Sequence, residues 1–201
     1  MRIPDSRFTN FLLSIMSKKY RGFFIEAGAN DGYAGSVCYW LEHALKWTGM
    51  NIECSPYCFE LLAKNRPKCI NVNTAISNKE GKVNLILPMD GPRGKFAGQA
   101  SISTANQDFG DRPVERHIVN CTTIGIILEE HQIQHIDLLV LDVEGSESEV
   151  IRGMTVYPDI CCIEHDKVGS SVLDALMISL DYTKITTYIN NSIYKRDYDN
   201  T

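Results

Sequence analysis

Apolar runs of strand length alternate along this chain with stretches whose apolar positions recur every three or four residues. FFIEA at 23–27, MNIE at 50–53, INVNTAI at 70–76, IDLLVLDV at 136–143 and DICCIE at 159–164 are short and bounded by polar or turn-forming residues, as buried strands are. Between the first two, Val37, Trp40, Leu41, Ala44 and Leu45 share one face of a helix expected over 34–46. Ser55-Pro56 opens the next helix, cap residue first, and Arg66-Pro67 ends it. Further helices fall at 123–132, after Ser146, where Ser146-x-x-Glu149 reads as a capping box, and at 171–180. KVNLIL at 82–87 is a strand that can stand apart from the main order, and KITTYI and SIYKR around Asn190-Asn191 predict a closing hairpin. FLLSIM at 11–16 is one face of a helix in an N-terminal helical segment, 1–21, ahead of a single domain over 22–201. Alternation of this kind predicts an α/β fold, a mostly parallel sheet with helices on both faces.

Composition narrows the partners. At 201 residues and 44% apolar the chain can build one sizeable core. Twenty Lys and Arg against twenty-five Asp and Glu give a net charge of −5, without a basic run to track a phosphate backbone, so nucleic acid is excluded as a partner. Seven cysteines lie mostly in apolar context and form no C-x-x-C pair, which points to reduced core residues in a cytoplasmic protein. No apolar stretch is long enough for membrane insertion. The Gly-, Pro-, Ser- and Asn-rich segment 89–113 is long for a loop and reads either as a functional lid or as a disordered segment.

Open α/β sheets bind ligands at the C-terminal ends of their strands, and each predicted strand here ends in something polar. The first runs into Glu26-Ala27-Gly28-Ala29-Asn30-Asp31-Gly32. Asn30 occupies the position where a pyrophosphate-binding turn needs its second glycine, and the acids Glu26 and Asp31 repel phosphate but suit a cation. The second strand ends in Glu53, at the distance expected of a ribose-binding acid. A ligand with a ribose and a positive charge but no phosphate is S-adenosylmethionine.

Four stretches, FIEAGANDG (24–32), WTGMNIECSPYCFELL (47–62), NVNTAIS followed by GKV (71–83) and IDLLVLDVEGSESEVIRGM (136–154), resemble the FkbM-type, class I S-adenosylmethionine-dependent methyltransferases. The resemblance implies a Rossmann-like, seven-stranded sheet whose last strand is antiparallel. It also implies that Glu26, Gly28, Asn30, Asp31 and Gly32 shape the cofactor turn, that Glu53 holds the ribose and that Ala75 and Ile76 flank the adenine. Cys54 stands where a proline is common in that family.

The fourth strand ends in Asp142-Val143-Glu144-Gly145 in place of the Asn or Asp-Pro-Pro-Tyr used to orient a neutral nitrogen. A hydroxyl needs a base, and Asp142, Glu144 and His165 are the candidates, with Asp142 also facing the cofactor. Glu147 and Glu149 are assigned to the following helix. Asp142 and Glu144 could also hold Mg²⁺ with an acceptor diol, but two carboxylates are few, and no metal is assigned. The expected activity is O-methylation of a sugar or glycan, a deoxysugar such as rhamnose or fucose being favoured, with Gln99, Ser101 and Ser103 of the 89–113 segment recognising the acceptor. The other readings are methylation of a non-sugar small molecule, a nicotinamide oxidoreductase, and a non-catalytic interaction domain.

Overall fold

The computed structural model describes residues 6–16, 21–89, 101–102 and 110–197. Seven strands form the main sheet: β1 (Phe23–Ala27), β2 (Thr48–Ile52), β3 (Ile70–Val72), β8 (Leu138–Leu141), β9 (Ile160–Glu164), β10 (Tyr182–Tyr188) and β11 (Asn191–Arg196). Their order is β10-β11-β9-β8-β1-β2-β3, with β11 antiparallel to both neighbours and the central pairs parallel. This is the expected seven-stranded arrangement with its closing antiparallel hairpin. A second sheet of order β4-β7-β5-β6 adds β4 (Ala75–Ser77), β5 (Gly81–Pro88), β6 (Ser101–Ile102) and β7 (Val114–Thr123).

The central strands read as unbroken apolar runs because both of their faces are covered. Ile25, Leu139, Leu141, Cys161 and Ile163 pack on one side with α4 (Ile124–Glu130), α5 (Glu147–Arg152) and α6 (Ser170–Ile178). Phe24, Leu138, Val140 and Cys162 pack on the other with α1 (Ser6–Ile15) and α2 (Tyr39–Leu45). Neighbours in sequence therefore serve opposite cores, as strand geometry requires. The paired residues Ile52, Ala27, Leu141 and Ile163 stand in one row across β2, β1, β8 and β9. The next residue on each strand, Glu53, Gly28, Asp142 and Glu164, forms the polar edge of the sheet.

Several predicted elements change. The strand expected over 70–76 is two strands in two sheets: the Asn73 amide donates to the Glu53 carbonyl at 2.8 Å and the Thr74 hydroxyl to that of Asn120 at 3.1 Å, so side chains take over where the ladder breaks. The helix expected from Ala34 begins at Tyr39, because Glu26 and the Ser36 hydroxyl capture the amides of Val37 and Tyr39 in a turn. β7 has no counterpart in the sequence reading. Its alternation is masked, since Ile118 is turned to solvent at 72% exposure while its neighbour Val119 faces the small core between the sheets. The strand expected over 136–143 shortens to Leu138–Leu141, and the one expected over 50–53 runs from Thr48 to Ile52 and stops before Glu53.

The capping box is not formed. Ser146 makes no side-chain bond to the α5 amides, whereas Ser55 accepts from the Cys58 amide at 3.4 Å as predicted for α3 (Pro56–Asn65). Glu147 instead folds back, one carboxylate oxygen accepting from the Val143 and Gly145 amides at 3.1 Å each. Those amides converge because Glu144 and Gly145 have φ of 55° and 105°. Glu147, 1% exposed, thus holds the turn rather than the helix. Glu147→Ala frees two turn amides and is expected to lower stability by about 1–3 kcal/mol, while Glu149→Ala stays within about 0.5 kcal/mol and Ser55→Ala costs about 1 kcal/mol. Urea denaturation of the three variants checks the ranking.

Candidate active site

A cavity of about 330 Å³ opens along the polar edge, lined at one end by Leu87, Ala75, Ile76 and Ile102, centrally by Glu26, Gly28, Asn30 and Glu53, and at the other end by Asp142, Glu144 and Asn190. Its volume is in the range of small-molecule sites. Ala75 and Ile76 form, with Leu87 and Ile102 of the second sheet, an apolar wall suited to a flat heterocycle. Neither was anticipated in the site: Leu87 ends the strand expected over 82–87, which carried no link to the binding edge, and Ile102 lies in the 89–113 segment, which had no periodic signal.

Glu53 is 7% exposed, and burial raises its pKa against the lowering effect of the amides it accepts. Its oxygens take the Ser55 amide at 2.7 Å and the Asn30 amide at 2.8 Å. Asn30 reaches this position with φ of 51°, a conformation asparagine tolerates. The carboxylate, with Cys54 also beside it, lines the cavity at the end of β2, the place of a ribose-binding acid. The residues present therefore fit the expected cofactor.

Glu26 and Gly28 line the cavity, but their close contacts, like those of Asp31 and Gly32, are with protein. Glu26 was expected to offer its charge to a cationic ligand, yet one oxygen accepts from the Val37 and Cys38 amides and the other from the Ser36 hydroxyl at 2.6 Å and from Arg66 at 3.5 Å. Asp31 and Gly32 do not line the cavity. Asp31 accepts the Tyr33 and Ala34 amides, and a Cβ on Gly32 would lie 2.5 Å from the Leu62 side chain. Gly28 has φ of 81°, and a Cβ there would meet the Asp142 carbonyl oxygen at 1.7 Å, so this glycine lets β1 and β8 approach.

At the far end from Ala75 and Ile76, Asp142, open to the cavity, hydrogen-bonds to Glu164, and one carboxylate oxygen from each of Asp142, Glu144 and Glu164 lies within 4.8 Å of the other two. Burial, then the Asp142 charge, pushes Glu144 up to about 7. Burial raises Asp142 and Glu164 as well, and Glu164 rises further because Asp142 is beside it. Glu164 was missed, although the strand-end logic that selected Asp142 applies equally to the last residue of β9. His165, one position on, was chosen instead. Its ring is turned to Ser192 Oγ at 3.1 Å and does not line the cavity, so the structure does not bring it to the carboxylates. Gln99 and Ser103 lie outside the described residues, and Ser101 is described only as the start of β6.

Solved structures with a similar fold include the METTL16 MTase domain, at 11% identity and TM-score 0.58 over 96% of this chain and 67% of that one. The human methyltransferase 10 domain containing protein aligns at 11% identity and TM-score 0.51, covering 96% of this chain and 81% of its own. Methyltransferase FkbM from Methylobacillus flagellatus KT aligns at 11% and TM-score 0.52 over 87% of this chain and 43% of that protein. At such identities the likeness is one of fold. No curated protein sequence matches the chain. The methyltransferase FkbM domain model matches residues 26–188, a span that contains the whole polar edge of the sheet. Calorimetric titration is expected to show S-adenosylhomocysteine binding without NAD binding, and Glu53→Ala is expected to weaken the former by about 1.5–3 kcal/mol. With both cofactor-turn and strand-edge residues inside the matched span, the chain belongs to the FkbM methyltransferase family and takes S-adenosylmethionine as its cofactor.

Proposed function

We propose that this methyltransferase transfers its methyl group to a hydroxyl of a sugar or glycan, a deoxysugar such as rhamnose or fucose being the favoured class. The observation that carries O-methylation is the pair Asp142 and Glu144 on one turn, both facing the cavity that holds Glu53 and Asn30. A hydroxyl becomes a competent nucleophile only as its proton leaves, and a carboxylate near neutrality is suited to take it. Glu144, raised to about 7, meets that requirement.

In this reading the hydroxyl proton passes to a carboxylate oxygen of Glu144 or Asp142 as the hydroxyl oxygen bonds to the methyl carbon. The carbon–sulfur bond breaks with its electron pair going to sulfur, giving a methyl ether and S-adenosylhomocysteine. The cofactor supplies the activated methyl group. The chain supplies in-line positioning, proton removal and a partly enclosed cleft. The sugar preference rests on the polar composition of segment 89–113, in which Gln99, Ser101 and Ser103 flank the cavity residue Ile102 in sequence.

Incubation with labelled S-adenosylmethionine and a panel of free sugars, glycans and non-sugar alcohols, followed by mass analysis, tests the acceptor class. Label appearing only in amine acceptors would remove the O-methyltransferase reading. Asp142→Asn and Glu144→Gln keep shape and remove charge, so turnover is expected to fall by about 10²–10⁴ with S-adenosylhomocysteine affinity retained. Because the base works ionised, kcat/KM should be lost as pH falls through about 7, and Glu144→Gln should abolish that limb of the profile.

A further inference from the structure

We propose that Asp142, Glu144 and Glu164 bind one divalent cation of the magnesium, manganese or calcium type at the acceptor end of the cleft. Binding of the ion stands on geometry alone, while its use in catalysis rests on the O-methyltransferase reading. The DVEG turn offers two carboxylates on the cavity lining, too few for a metal, and β9 brings the third, Glu164, beside Asp142 and outside that lining. Opposite ligands across a bound Mg²⁺ or Ca²⁺ are about 4.1–5.2 Å apart, twice the metal–oxygen distance. Three carboxylate atoms all within 4.8 Å of one another can therefore share one ion.

A second observation lies in the same wall of the cavity. Ser146, 1% exposed and lining the cavity beside Glu144, has a buried hydroxyl with no hydrogen-bond partner. Buried polar atoms are almost always partnered, so a hydroxyl left over on a cavity-lining residue calls for a partner. Mg²⁺ in particular keeps several of its waters, and such a water is a natural partner for this hydroxyl. Glu147 also buries one carboxylate oxygen without a partner, on the turn that carries Asp142 and Glu144. The site has an orienting group as well: Asn190 Nδ2, from the cavity lining, donates to Glu164 at 2.6 Å and to Asp166 at 3.1 Å, fixing the Glu164 carboxylate.

A different cluster, His135, Asp137 and Asp159, lies at the opposite end of the sheet. There Asp137 is already committed to the Phe23 amide at 2.6 Å, clamping the start of β1, and no orphaned group accompanies it. The acidic trio is the stronger case. An ion held through one oxygen of each carboxylate would take the acceptor hydroxyl as a further ligand and favour passage of its proton to the uncoordinated oxygen of Glu144. This also explains why an acceptor with neighbouring hydroxyls would suit the cleft.

The test is a manganese titration of the metal-stripped protein, without cofactor or acceptor, read by the loss of the free Mn²⁺ electron paramagnetic resonance signal. One saturable ion per chain, displaced by Mg²⁺ or Ca²⁺, is expected. Glu164→Gln keeps the Asn190 bond and should weaken Mn²⁺ binding by at least about tenfold, while Asp166→Asn should change it far less. Asp142→Asn serves where Glu164→Gln does not fold. Absence of saturable binding to protein that binds S-adenosylhomocysteine normally would overturn the site, as would binding undiminished in the trio variants. Saturable Mn²⁺ binding by a protein that methylates no hydroxyl would retain the site and remove the function proposed above. Hydroxyl methylation that persists in EDTA, with no Mn²⁺ bound, would do the reverse.

Discussion

A buried carboxylate, Glu26, organises the whole binding edge. It stands 4% exposed at the end of β1, where a lone negative charge would be untenable, and everything around it is arranged to receive it. The Val37 and Cys38 amides and the Ser36 hydroxyl come from the turn, and the guanidinium of Arg66 comes from the end of α3. Arg66 is fully buried and also bonds Glu42 and the Gly32 carbonyl. One ion network thus ties β1, the cofactor turn, α2 and α3 together. Deleting the Arg66 charge would strand Glu26 and Glu42 together, a loss of about 3–5 kcal/mol.

The two ends of the cleft solve the burial of acid in different ways. Glu26 and Glu53 are satisfied by backbone amides and, for Glu26, by a cation, so the protein itself neutralises them. Asp142 and Glu164 are set against each other, which leaves charge to be met by protons or by something that enters the cleft. The first arrangement makes a rigid cradle. In the second, the free energy of the carboxylates changes with what is bound beside them.

Close backbone approach explains why the turn has the residues it has. Gly28 is required by the Asp142 carbonyl and Gly32 by Leu62 and Arg66, so these glycines bring strands and helix together before any ligand is considered. The sequence pattern suggests a ligand-binding turn either way, but the neighbour that demands the missing Cβ is visible only in three dimensions. The same turn, held by Glu26 and Asp31 from within, leaves the Asn30 amide for Glu53.

Sequence by itself determined that the main sheet has these apolar strands, that each runs into a polar residue, and that the chain closes in a hairpin, though not where every strand stops. Strands covered on both faces must be apolar throughout, and each must turn polar where it meets the binding edge, so Glu53, Asp142 and the DVEG turn were legible one strand at a time. Tertiary structure decided how those ends meet. Register set Glu164 beside Asp142, a pairing 22 residues apart in sequence that gives no local signal. Glu26 found Arg66 across 40 residues, and Glu147 left its helix for the turn because two amides converged there. β7 was invisible because a strand with apolar residues on both faces, one of them open to solvent, shows no clean alternation. Periodicity records which face of an element is buried, and it carries no information about which distant group lies against that face.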